Sequence, residues 1–172
     1  MRWRSEAWTC DLPTTTVAAN PGDGVNGAVY DALLAVPEWL GLARLRAQSL
    51  VGLTGRVLEI GAGTGANAVY LRDTELLIQS DAQLALLRRA RCRTGGVGMR
   101  PLLVVARAEA LPFADAVYDT TLGTLVLCSV QDPIQALREL ARVTRAVGNL
   151  RLARARAITA SDARGAATHP HP

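Results

Sequence analysis

Lysine is absent from this 172-residue chain, and all nineteen of its basic residues are arginine. Aromatic residues make up 4%, with a single Phe, and there are three Cys and two His. Each shortage excludes something. Cys10, Cys92 and Cys128, far apart and odd in number, do not make a disulfide framework, and a reducing cytoplasm fits best. His169 and His171 alternate with proline at the extreme terminus, and no Cys/His cluster elsewhere has metal-ligand spacing, so no metal site is expected. No apolar run approaches the ~18 residues of a membrane span. The opening MRWRSEAWTC has no apolar segment of the secretory kind, so neither a membrane nor a secretory role is expected. The net charge of +4 is unevenly placed. Residues 1–150 carry 15 Arg against 14 acidic side chains, whereas residues 151–172 carry four Arg against Asp162 alone. The pI near 9.5 is therefore a property of the tail, and nucleic acid is not an expected partner of the nearly neutral remainder.

What is present is one domain's length of chain with 49% hydrophobic residues, the composition of a soluble globular protein. Residues 1–25, with Pro13, Pro21 and the Gly22-Asp23-Gly24 turn, read as a poorly ordered leader. A helical stretch begins near Ala28, breaks at Pro37 and resumes over about 39–51. From Arg56 short apolar strands alternate with helices. The strands fall at 57–60, 76–78, 102–105 and 122–127. One helix starts near Ala66 and a second runs over about 82–91, with Gly95 to Gly98 as a loop. Asp132-Pro133 opens a third as an acidic N-cap with proline at N1, its apolar face made of Ile134, Leu137, Leu140 and Ala141. The pattern predicts an α/β, Rossmann-like, doubly wound and mainly parallel sheet. After Gly148 no further strand of useful length is expected. The domain is placed at 26–150, and 151–172 is expected to be a basic, mostly disordered tail, with a short helix near 152–158.

The stretch VLEIGAGTGAN, residues 57–67, carries the chemistry. Gly61, Gly63 and Gly65 allow a sharp strand-to-helix turn and close approach of backbone to a ligand. The helix after them would present free N–H groups and a positive dipole end. Asp81, twenty residues after Gly61 and at the end of the second strand, stands where a carboxylate accepts from a ribose diol. The spacing Gly61-x-Gly63-x-x-Ala66 also satisfies the dinucleotide fingerprint. Glu59, an acid inside an apolar strand, does nothing for a pyrophosphate but would attract a cationic, amino-acid-bearing cofactor. It could instead pair with an arginine or a loop amide.

Glu59-x-Gly61-x-Gly63-x-Gly65 resembles motif I of the class I S-adenosylmethionine-dependent methyltransferases. The resemblance continues through SDAQLALLRRAR, ARAEALPFADAVYD and TLVLCSVQDPIQALRELARV, and is similar to the methyltransferase type 11 group with its thiol- and ubiquinone-methyltransferase-like members. It implies S-adenosylmethionine as cofactor and a small-molecule methyl acceptor. By position it places Gly61, Ala62 and Gly63 along the methionine part, with Glu59 near its amino end. Asp81 falls on the ribose, Ala82 against the adenine, Ala108 and Glu109 at the adenine edge, and Leu125 facing cofactor and substrate. Arg107 stands where many relatives have an acceptor Asp, and arginine cannot accept. Cys128, in LVLCSV, is expected to be a buried packing residue and not a nucleophile. No catalytic residue is nominated, because methyl transfer is an in-line displacement at an already activated carbon and rests on alignment. Relatives continue from this point into a fifth strand and beyond, so the chain is expected to be truncated after the fourth strand and its helix. The fourth strand would then be an exposed edge open to homodimerisation. Two alternatives accompany this reading: a non-catalytic remnant that at most binds the cofactor, and a nicotinamide-dinucleotide-binding domain.

Overall fold

A computed structural model describes residues 43–96 and 100–153 of the chain. Five parallel strands, β1 Arg56–Ile60, β2 Leu76–Asp81, β3 Leu102–Val105, β4 Tyr118–Thr124 and β5 Thr144–Ala153, form one sheet in the order β3-β2-β1-β4-β5. Helices α1 Ala43–Leu50, α2 Leu84–Gly96 and α3 Pro133–Val143 flank it. Strand order reverses between β1 and β4, the switch point at which doubly wound sheets open a crevice for ligands.

β1 shows why its residues make a central strand. Val57 joins Leu50, Leu53, Leu71, Leu77 and Leu122 on one face of the sheet. Leu58 and Ile60 join Ile78, Tyr118, Leu140 and Val143 on the other. Alternate side chains thus feed two cores, as expected for a strand buried on both faces. The Asp132 side chain caps α3 by accepting from Gln135 N at 2.9 Å, and Pro133 occupies the first turn, as the sequence predicts. The buried face of α3 is Ala136, Leu140 and Val143, while Ile134 and Ala141 are exposed. Helical spacing admits either set, and contact with the sheet selects the first.

The fifth strand corrects the largest expectation. β5 pairs with β4 from Thr144 to Ala153, so the chain continues past the fourth strand and helix, and the domain runs beyond 150. The same residues exclude a helix at Leu152 and Ala153. β4 lies between β1 and β5, and among the described residues the outermost strand on this side of the sheet is β5. An edge strand is held by its backbone ladder, so the side chains of TRAVGNLRLA need not form an apolar run. The ladder shifts register between Tyr118 and Thr120, where residues 145–148 bulge out. β4 begins at Tyr118 and ends at Thr124, earlier than 122–127, because its Thr-rich start suits a strand and Leu125 turns the chain at φ 58°.

No regular α-helix follows the glycine loop. A 3₁₀ turn at Ala68–Tyr70 replaces it, and the Thr74 hydroxyl donates to Leu71 O at 2.8 Å in the turn leading to β2. Helix α2 extends to Gly96, so Gly95 and Gly96 belong to its last turn and not to a loop. Cys128 is exposed, not buried, since it lies in the loop after β4; its thiol donates to Leu125 O at 3.1 Å. Cys92 is disulfide-bonded, which corrects the expectation that the cysteines do not pair. The leader, the helix from Ala28 and the tail after Ala153 lie outside the described residues. No helix among the described residues is long and apolar enough to cross a membrane.

Candidate functional site

The ends of β1 and β2 bring the glycine loop and Asp81 together. Ala62 N donates to Ser80 O at 3.0 Å, and Gly63 N donates to Asp81 Oδ2 at 2.9 Å. Asp81 Oδ1 accepts from Gln83 N at 2.9 Å. The Asp81 carboxylate therefore ties the glycine loop to the β2–α2 connection. Burial holds its pKa above the usual range, against the pull of the Gln83, Gly63 and Ala82 amides. Gly61, Gly63 and Gly65 all have positive φ, at 59°, 56° and 77°. At Gly61 the space of a side chain is already filled by Val126, and at Gly65 a methyl would meet Ala90 Cβ at 3.0 Å. The glycines are thus required by backbone conformation and by the protein's own packing.

Glu59 is 1% exposed and sits in a polar network within the core. Its Oε1 accepts from Asn67 Nδ2 at 2.5 Å and its Oε2 from Gln79 Nε2 at 2.7 Å. Asn67 Nδ2 also donates to Thr124 Oγ1 at 2.9 Å, and Asn67 Oδ1 accepts from Arg46 Nη1 at 2.8 Å. Burial pushes the Glu59 carboxyl up to about 7, opposed by the Gln79 and Asn67 hydrogen bonds and the Arg46 charge, and reinforced by Asp81. Of the two pairings considered for Glu59, this is the internal one: side-chain amides with an arginine behind them.

The remaining site candidates divide. Ala82 is exposed beside Asp81. Ala106 N donates to Asp81 O at 3.0 Å, which brings the chain after β3 to the same rim. Ala108, however, packs into the core beneath α3. The Glu109 carboxylate turns to the start of α3, accepting from Gln131 N at 2.8 Å. Burial works to raise its pKa, but amides of its own residue, Gln131 and Asp132, with Arg107, bring it below the usual range. Arg107 Nη2 donates to Gln131 Oε1 at 2.7 Å, so this guanidinium clamps two loops together. Leu125 is half-buried at the end of β4.

Beside Thr124 lies a cavity of about 260 Å³ between α1 and the ends of β4 and β5, its wall including Ser49, Leu50, Thr124, Arg151 and Leu152. Sequence reasoning did not single out Arg46, Gln79 or Thr124. Gln79 was legible by the argument applied to Glu59, as a polar residue inside the apolar strand LLIQSD. Arg46 carried no such mark in an arginine-rich helix. Among the described residues no cluster of His, Cys, Asp and Glu could hold a metal ion.

Residues 58–152 match the methyltransferase domain family. The chain is 38% identical over 96 residues to a demethylmenaquinone methyltransferase of Thermobifida fusca, covering 55% of this chain and 41% of the relative. It is 34% identical over 111 residues to a ubiquinone/menaquinone biosynthesis C-methyltransferase of Xylella fastidiosa, covering 61% and 44%. These matches span less than half the length of either relative. Among solved structures, an S-adenosylmethionine-dependent methyltransferase from Thermotoga maritima superposes with a TM-score of 0.57 at 32% identity, covering 72% of this chain and 55% of that one.

Proposed function

The chain belongs to the methyltransferase domain family, within the class I S-adenosylmethionine-dependent methyltransferases, and on that premise we propose that it binds S-adenosylmethionine and serves methyl transfer to a small-molecule acceptor. The observation that carries this is the Gly63–Asp81 hydrogen bond of 2.9 Å beside the β1/β4 switch point. It joins the glycine loop and the acid in one rim. Gly63, Gln83 and Ala82 amides approach the Asp81 carboxylate, and of its roughly four acceptor sites one is left that could take a ribose hydroxyl, so the residue fits the nucleoside. The cofactor, when bound, supplies a methyl group on a sulfonium. The chain's own part is alignment. Asp81 would hold the ribose and the glycine loop the methionine part, with Ala82 against the adenine and the backbone of Ala108 and Glu109 at its edge. Leu125 would face cofactor and acceptor. Glu59, buried below the loop and bonded to Asn67 and Gln79, would support the loop near the ammonium end rather than touch the cofactor.

Calorimetric titration with S-adenosylhomocysteine, with NAD as control, tests this reading. Saturable binding of the first alone supports it; a folded chain that binds neither overturns it. Asp81→Ala should weaken binding by about tenfold or more, the effect of losing hydrogen bonds to a charged group. A cytoplasmic location belongs to the same proposal, although the Cys92 disulfide removes the argument from unpaired thiols; so do the absence of a nucleic-acid partner and homodimerisation through the β5 edge, where Leu150 and Leu152 are 42% and 40% exposed.

A further inference from the structure

The wall of the 260 Å³ cavity carries a chemical polarity that the network beneath it sets. Asn67 has its amide orientation fixed by its neighbours: Oδ1 must face the Arg46 donor, so Nδ2 faces Glu59 and Thr124. Thr124 Oγ1 consequently accepts from Asn67, and its hydroxyl hydrogen points elsewhere. Among the described residues no acceptor for that hydrogen is found, and Thr124 lines the cavity. Arg151 lines it too, anchored by Nη1 donating to Ser49 O at 2.8 Å. A guanidinium has five N–H donors, so most remain after this bond. Leu50 and Ala153 are the apolar residues lining it on the α1 face, and no carboxylate lines the cavity among the described residues.

We propose that this cavity is the acceptor subsite and that it takes a small molecule bearing a carboxylate, held by the Thr124 hydroxyl and the Arg151 guanidinium, with Asn67 as the positioning residue that makes Thr124 a donor. This rests on the methyltransferase reading for the word acceptor, but the ligand chemistry stands on the cavity alone. A hydroxyl donor and a guanidinium around an apolar pocket recognise an anionic oxygen group and reject an ammonium.

The test uses the full chain with benzoate as probe and benzylamine as a cationic control of similar size, read by two-dimensional NMR of the backbone amides. Benzoate should shift the Thr124 and Arg151 amides saturably, and benzylamine should not. Arg151→Gln and Thr124→Val should each weaken benzoate binding by about tenfold, the loss of one hydrogen bond to a charged group. Since Arg151 is exposed, Arg151→Gln keeps the test valid if Thr124→Val fails to fold. Equal binding of benzylamine, no binding of benzoate, or benzoate affinity unchanged in Arg151→Gln overturns the proposal. S-adenosylhomocysteine titrated into the same samples reads the cofactor site separately. Benzoate binding without S-adenosylhomocysteine binding sinks the methyltransferase reading and leaves the cavity's chemistry standing, while the converse sinks the cavity proposal alone.

Discussion

At Glu59 two requirements oppose each other: the carboxylate must be buried under the glycine loop, and burial resists its charge. Its pKa near 7, against 4.5 for an unperturbed glutamate, makes the folded state the tighter proton binder. Between these values the folded protein holds the proton and the unfolded chain releases it. Stability is therefore full below about 4.5 and falls as pH rises toward 7, by on the order of 3 kcal/mol from this residue. Glu59→Gln should remove that slope in urea unfolding measured from pH 4.5 to 7.5, and a slope unchanged in the variant would take Glu59 out of the account. Gly61 gives a second prediction at this scale. An alanine there combines φ 59° with a clash against Val126, so Gly61→Ala should destabilise by about 2–4 kcal/mol in the same assay.

Helix α3 is held at both ends by polar contacts that its apolar face does not supply. Asp132 caps the first turn at 2.9 Å, and Asp132→Ala should cost about 1 kcal/mol in the unfolding midpoint. At the other end Arg142 donates to Phe113 O at 2.7 Å and to Leu111 O at 3.0 Å, while gripping Glu139 and Asp115. Removing that side chain strands two loop carbonyls and leaves Glu139 unpaired by Arg142. Arg142→Ala should therefore cost about 2 kcal/mol, more than the cap, even though the arginine is a third exposed. Helix α3 was legible in advance because its cap and proline are local signals. Which of its faces is buried was not legible, because Ile134 and Ala136 compete on spacing alone and only the sheet beneath them decides.

For the molecule as a whole, β5 is one of the two edge strands of the described sheet, with β3 at the other end. β5 presents Leu150 and Leu152 at 42% and 40% exposure, with Val147 at 95% in the bulge beside them. Arg145 and Arg151 on the same strand, and the register shift, work against indiscriminate pairing. If the edge pairs two copies, sedimentation should show a mass that rises with protein concentration, and Leu152→Lys should return it to the monomer. A wild-type chain that stays monomeric at high concentration removes the dimer from the proposal.

The sequence by itself determined the parallel α/β class, the glycine loop and Asp81, because these depend on local chemistry: apolar strands, residues that tolerate positive φ, and an acid at a strand end. It also carried enough of four ordered motifs to mark the resemblance. Only the tertiary structure decided that TRAVGNLRLA is a strand, since an edge strand is held by backbone hydrogen bonds to β4 and shows no apolar period. The same holds for the partners of Glu59. Arg46, Asn67, Gln79 and Thr124 come from four segments far apart in the chain, and their meeting follows from strand order, which no local pattern encodes.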